Sequence, residues 1–302
     1  MTKRDPNGGK SAWRARCIVL AAKFRLTRPL QMLRRLFYRS WGTLSPGVTR
    51  TRDGSTIYFH RHDYAISHAL RTRGSFEAFE SDLIRALLGS GDCAVDVGAN
   101  IGVHTIAMSK ACGPTGRILA IEPDPSNRRL LRRNLRTNRC DNVEIIAAAA
   151  SAVTGSLLLF KSLNNMGDHR VYDSGEGRVK VAVPAVRLDG IMASRNFRPR
   201  LVKMDVQGWE PQALEGALPA LTGPGPFALL TEFWSGGLEL AGSNADQYLA
   251  ALATLGGAVY EIDEGRQRLR PVPSDFASLR RGDVDVNLLC VRGIAVDRWI
   301  QA

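Results

Sequence analysis

Acidic residues are scarce in this 302-residue chain: 29 Asp/Glu stand against 41 Lys/Arg, a formal net charge of +12. The imbalance is local. Residues 1–41 hold 11 Lys/Arg and one acid, net +10, and the other 261 residues come to only net +2. A nearly neutral body argues against a chain built to coat nucleic acid. Cysteine is sparse too. Cys17, Cys93, Cys112, Cys140 and Cys290 are odd in number, scattered and without a C-x-x-C pair, so neither a disulfide framework nor a zinc site is expected, and reduced cytosolic thiols are the simplest reading. Long apolar runs are missing: CIVLAA is six residues before Lys23, too short for a signal-peptide core or a bilayer span. Repeats and low-complexity blocks are absent, and 44% hydrophobic content over this length supports one large folded unit with extensions.

What is present centres on Asp92–Gly102, DCAVDVGANIG. The β-branched run Ala94–Val97 ends in a glycine-bearing turn that leads into a helical pattern (Val103, Ile106, Ala107), the junction at which α/β proteins bind ligands. Gly98 permits close approach of backbone to a ligand, Asn100 tolerates unusual dihedrals, and Gly102 lets the helix pack near the strand. Asp96 lies inside the apolar strand. A buried carboxylate is costly unless a cation or donor meets it, so it is expected to face a ligand. Glu122 closes the next apolar strand in RILAIEPD, where an acid can take both hydroxyls of a ribose. The spacing is G-x-x-x-G rather than G-x-G-x-x-G, with an acid where pyrophosphate would be repelled. A cationic nucleoside is expected and a nicotinamide dehydrogenase is disfavoured.

Here the chain resembles the class I S-adenosylmethionine-dependent methyltransferases, and D-V-G-A-N-I-G is similar to the FkbM family in particular. Two further stretches carry the resemblance. VKVAVPAVRLD resembles a V-P-V-x-x-L-D element, and KMDVQGWE resembles K-x-D-x-E-G-x-E, keeping Lys203, Asp205, Gly208 and Glu210 but with Gln207 where the family usually has Glu. Phe76-Glu77 matches an aromatic-Glu pair before the first core strand, although Glu77 also serves as a helix-start acid. The resemblance spans about residues 75–292. It implies an α/β, Rossmann-like class I fold: a seven-stranded, mostly parallel sheet with an antiparallel last strand and helices on both faces. It implies S-adenosylmethionine as cofactor, with Glu77, Asp96, Gly98, Ala99, Asn100, Gly102, Glu122 and Ala148 as its binding positions, the last where small residues let adenine lie flat. No metal ligand set is expected.

In chain order, 1–44 is a basic segment. Leu26, Leu30, Leu33 and Phe37 recur at helical spacing among Arg28, Arg34, Arg35 and Arg39. Three readings stand for 11–41: a docked or oligomer-forming helix, attachment to an anionic membrane surface, and nucleic-acid contact. Residues 45–90 read as a hairpin turning at Asp53-Gly54 and a helix from Ser75 to about Leu88. The methyltransferase domain is 91–302. Within it Val143–Ala149, Leu157–Phe160, Val179–Leu188, Leu201–Met204, Phe227–Glu232, Ala258–Ile262 and Val284–Val291 read as extended, and 243–255 as a helix capped by Ser243. The polar stretch 161–177 reads as a functional loop, from which Asn164, Asn165, Asp168 and His169 would reach over the cofactor.

A sulfonium methyl is already electrophilic, so a hydroxyl acceptor needs a base. His169 and Asp205 are the candidates, Glu232 next, and His104 reads as a packed or capping residue. The expected activity is O-methylation of a saccharide, glycan or small natural product in the cytoplasm or peripherally at the inner membrane surface, with a homo-oligomer left open. The alternatives are an RNA or protein methyltransferase recruited by the basic segment, with nucleic acid the less favoured partner, and a non-catalytic S-adenosylmethionine-binding module.

Overall fold

A computed structural model describes residues 47–61, 63–280 and 282–300; the expected basic helix of 11–41 lies outside them. The hairpin is present. β1 (Val48–Arg50) and β2 (Thr56–Tyr58) pair antiparallel across Gly54, whose φ of 78° needs glycine. A helix that sequence reading missed, α1 (Ile66–Arg73), follows, and then α2 (Ala78–Leu87). β3 (Cys93–Val97), α3 (Val103–Cys112), β4 (Arg117–Ile121), α4 (Pro125–Thr137) and β5 (Val143–Ile146) are successive βα units whose strands pair in parallel. Asp124 caps α4, accepting from the Ser126 and Asn127 amides, with Pro125 in the first turn.

The expected strand 143–149 divides. β5 ends at Ile146, and β6 (Ala149–Ala150) joins a second sheet with β7 (Gly155–Lys161) and β8 (Val179–Val186). Then come α5 (Leu188–Ser194), β9 (Leu201–Met204), α6 (Glu210–Glu215), α7 (Leu218–Leu221), β10 (Phe227–Trp234), α8 (Ser235–Leu240), α9 (Ala245–Ala253), β11 (Ala258–Asp263), β12 (Arg268–Pro271) and β13 (Asp285–Arg292). Asn244, not Ser243, caps α9 through the Gln247 amide.

The main sheet runs β12-β11-β13-β10-β9-β3-β4-β5. Seven of its strands are the expected frame, β13 antiparallel to both neighbours. The eighth, β12, is an edge strand in the Pro- and Arg-rich connection, where it pairs with β11. Prolines belong at such an edge because no ladder hydrogen bond is lost there.

Strand alternation sorts the side chains by face. Val95, Val97, Val202, Met204 and Leu229 pack under α5, α6, α7 and α9. Ala94, Leu201, Ala228 and Leu230 pack under α2 and α3. Asp96 shares the second face with Ala94, Lys203 with Leu201, and Glu232 with Leu230. The sheet therefore puts Asp96 and Lys203 side by side in register, with Glu232 two residues further along β10 on the same face, near the carboxyl ends of adjacent strands. Among the described residues no helix is long and apolar enough to cross a membrane.

Candidate active site

Two clefts meet over the turn after β3, of about 530 and 670 Å³ counting the parts open to solvent, both lined by Gly98, Asn100, Gly167, Asp205 and Gln207. The first continues over Glu122, Asn127, Ala148–Ala150, His169 and Trp209. The second continues over Glu77, Asp96, Ala99, His104, Lys203 and Glu232. A groove at strand carboxyl ends is where an open α/β sheet binds its ligand.

The turn is fixed by its own backbone. The Gly98 and Ala99 amides donate to the Ile121 carbonyl at 2.9 and 3.0 Å, and Asn100 sits at φ 50°, as the sequence led one to expect of asparagine. Each glycine also meets a neighbour that a side chain would strike. A Cβ on Gly98 would stand 2.0 Å from the Asp205 carbonyl oxygen, and one on Gly102 2.5 Å from a methyl of Leu131 on α4. Gly98 thus serves the apposition of two strand ends, and Gly102 the packing of one helix on another.

Glu122 is buried, accepting the Asn100 amide at 2.9 Å on one oxygen and the Asp124 amide at 2.7 Å on the other. The carboxylate, which the Asn127 side chain also meets, lines the first cleft and keeps acceptor capacity for a diol. Burial pushes its pKa up to about 7 against the bonds from those amides. Ala148 is buried on the floor of the same cleft.

Asp96, at the second cleft, already has partners within the chain. Thr105 donates to it at 2.5 Å, and Lys203 stands beside it in register. Burial raises its pKa while Lys203 opposes the rise. Lys203 is the hub that sequence reading left undecided: the residue is buried, and its ammonium donates to Asp205 at 3.2 Å. Burial pushes its pKa down, but Asp205, Glu77, Glu80 and Asp96 more than reverse that and keep it charged. Glu77 opens α2 at φ 45°, a left-handed conformation costly for a side-chain-bearing residue, its carboxylate 3.8 Å from His104. Burial and Lys203 lower the His104 pKa well below normal. Glu80, missed from sequence, is buried and hydrogen-bonded by Asn287. Its spacing from Leu83, Ile84 and Leu87 on the apolar stripe of α2 was the signal.

The three catalytic candidates separate. Asp205 and Glu232 come together, both accepting from the Gln207 carboxamide at 2.8 and 2.9 Å. His169 lies in the first cleft, away from Glu232. Its Nδ1 accepts the Ser162 amide at 3.1 Å, and burial depresses its pKa to about 4. A neutral ring bonded in this way carries its proton on Nε2 and presents a donor there. Asp168 is likewise turned away, paired with Arg170 and Arg178 within its own loop. Asn165 lines the second cleft, while Asn164 contributes a carbonyl to the Tyr64 amide. The loop is fastened through the Met166 carbonyl, which accepts from the side chains of Asn100 and Asn127.

Asn100 Oδ1, His169 Nε2 and Trp209 Nε1 are buried without a hydrogen-bond partner and belong to residues of the first cleft. One acceptor, two donors, a diol-ready carboxylate and an alanine floor fit an adenosine. Among the described residues two groups could bring metal-ligating atoms within 4.8 Å of one another: Glu77, Glu80 and His104, and Asp205, Glu210 and Glu232. In the first, Lys203 already supplies a cation. In the second, both Glu210 oxygens accept amides, of Val206 and Gly208, at 2.8 Å.

Residues 96–228 match the family model of the methyltransferase FkbM domain. The hexuronic acid methyltransferase AglP of Haloferax volcanii is 30% identical over 148 residues, 47% of this chain and 58% of that protein. Methyltransferase sdnD of Sordaria araneosa is 30% identical over 164 residues, 43% of this chain and 62% of that protein. The chain thus spans about six-tenths of the length of these curated relatives. A solved S-adenosylmethionine-dependent methyltransferase of Aquifex aeolicus aligns with a TM-score of 0.42 at 12% identity, covering 74% of this chain and 95% of that one. Residues 96–228 of this chain are thus similar to the methyltransferase FkbM domain.

Proposed function

We propose that the protein transfers a methyl group to a hydroxyl of a saccharide or a small natural product. The observation that carries this reading is the Asp205–Glu232 acid pair at the junction of the two clefts. When bound, S-adenosylmethionine supplies an activated methyl carbon and needs no further activation from the protein. The chain's own residues then have three tasks. Glu122 accepts the ribose hydroxyls, with Ala148–Ala150 beneath the adenine and Asn100, His169 and Trp209 offering polar contacts to it. Glu77 and Ala99 line the amino-acid end. Asp205 and Glu232 take the proton of the acceptor hydroxyl, a contribution of about a hundredfold to ten-thousandfold in rate.

The relative from Haloferax volcanii is named for hexuronic acid, and an anionic acceptor suits the surroundings of the site here. Helix α4 begins three residues after Glu122 and has no acid from Pro125 to Thr137. Arg128, Arg129, Arg132, Arg133 and Arg136 on it, with Arg139 just beyond, make no ion pair among the described residues. That basic face also supports peripheral contact with an anionic membrane surface that carries the acceptor.

The test is methyl transfer from labelled S-adenosylmethionine to a panel of uronic-acid and neutral saccharides by wild type, Asp205→Asn and Glu232→Gln, with S-adenosylhomocysteine affinity measured alongside. The reading expects turnover on a saccharide to fall at least a hundredfold in the variants while S-adenosylhomocysteine binds unchanged. Undiminished turnover in both variants refutes the acid pair as base.

A further inference from the structure

Asp205, Glu210 and Glu232 offer oxygens within 4.8 Å of one another, a spacing at which carboxylates normally share a cation or a proton. Here the position between two of them is filled by the chain itself. Gln207 Nε2 lies 2.8 Å from Asp205 Oδ1 and 2.9 Å from Glu232 Oε2. The amide is aimed there by its backbone. Gln207 is left-handed at φ 58°, and its carbonyl is held by the Tyr172 hydroxyl at 2.6 Å. Gly208, at φ 98°, is pressed against Gly237, whose carbonyl oxygen would lie 2.5 Å from any Cβ. Other charged and polar groups converge from every neighbouring element: Lys203 of β9, Asp96 of β3, Glu77 and Glu80 at α2, His104 of α3, Glu210 of α6 and Tyr172 of the loop. Among the described residues named here Lys203 is the cation, and it is already bonded to the far oxygen of Asp205.

We propose that the Gln207 carboxamide does the work of a bound cation between Asp205 and Glu232. Its two N–H donors hold the acid pair ionised and apposed, and the proton-accepting carboxylates operate without a divalent metal. Gln207 is a positioning residue, acting through the two acids, and the inference rests on their reading as proton acceptors. A side chain of the same shape carrying a charge would put a third carboxylate in the gap. Removing the side chain would leave two acids with room for an ion. Both changes should recruit a divalent cation.

Mn2+ binding followed by electron paramagnetic resonance tests this on wild type, Q207E, Q207A and each variant combined with E232Q, with S-adenosylhomocysteine calorimetry on the same samples. Wild type is expected to leave Mn2+ free. Q207E and Q207A are expected to bind it at least tenfold more tightly than wild type, with the gain abolished by E232Q. Wild-type Mn2+ binding as tight as that of the variants would overturn the proposal, because the carboxamide oxygen would then be facing an ion. No gain in either variant would overturn it too, since the acids would not be apposed. Failure of wild type to bind S-adenosylhomocysteine would sink the methyltransferase reading and leave the Mn2+ comparison standing.

Discussion

Glu122, the proposed ribose acceptor, should tie cofactor binding to pH. In the free protein burial holds its pKa at about 7, against the usual 4.5, so at pH 6 most of the population carries a proton there. Ribose hydroxyls donate to the ionised form. Bonding two of them brings the pKa back toward the usual value and expels the proton. A full return corresponds to roughly 3 kcal/mol, a factor of about 300 in affinity; a tenfold rise is the conservative expectation. The sign follows directly: affinity for S-adenosylhomocysteine is low near pH 5, rises through pH 6–7 and levels off above pH 8. Calorimetry in two buffers of different ionisation enthalpy counts the protons, and at pH 6 about 0.4 should be released per ligand for the tenfold case, rising to about 0.9 for a full return. Glu122→Gln should bind more weakly, release none and show flat affinity across that range. Proton release equal in wild type and Glu122→Gln would refute the reasoning.

Three other outcomes follow from the same geometry. Gly98→Ala meets the Asp205 carbonyl at 2.0 Å and a φ of 83°; left-handed strain alone costs about 1–2 kcal/mol. It should lower Tm measurably by calorimetry and abolish S-adenosylhomocysteine binding. Lys203→Met strips buried Asp96 and its neighbours of their cation, a loss of about 3–5 kcal/mol at pH 8 that should shrink at pH 5, where the acids take protons; denaturant titration at both values reads it. His169→Gln retains a donor and should hold S-adenosylhomocysteine affinity and turnover within severalfold of wild type, whereas His169→Ala should weaken binding. A complete loss of turnover in His169→Gln, with binding intact, would restore the histidine as base.

The parts of the site that sequence showed are those written locally. The strand–turn–helix at Asp92–Gly102 and the acid ending β4 rest on alternation, glycine and one polar residue within a few positions of each other. Asp205 was legible for the same reason, since it follows directly on an apolar strand. What stayed hidden depends on partners far apart in sequence. Gln207 meets Glu232 from 25 residues away, and Glu80 meets Asn287 from 207 away. The part of Gly98 that matters most, its contact with Asp205, is a crossing of strand ends that no local pattern encodes. The bond from the Ser162 amide to His169 Nδ1, which bears on its tautomer, likewise leaves no mark in the local sequence. The split of 143–150 between two sheets had no punctuation in the alanine run to mark it.

The central claim is that the groove over Gly98 and Glu122 holds S-adenosylmethionine. Titrating S-adenosylmethionine and NAD separately into the wild-type protein at pH 8, with Glu122→Ala as control, tests it most directly. The account predicts micromolar S-adenosylmethionine affinity, weakened at least tenfold, about 1.4 kcal/mol, by the substitution, and no heat from NAD. NAD binding, or S-adenosylmethionine binding indifferent to Glu122, would contradict it.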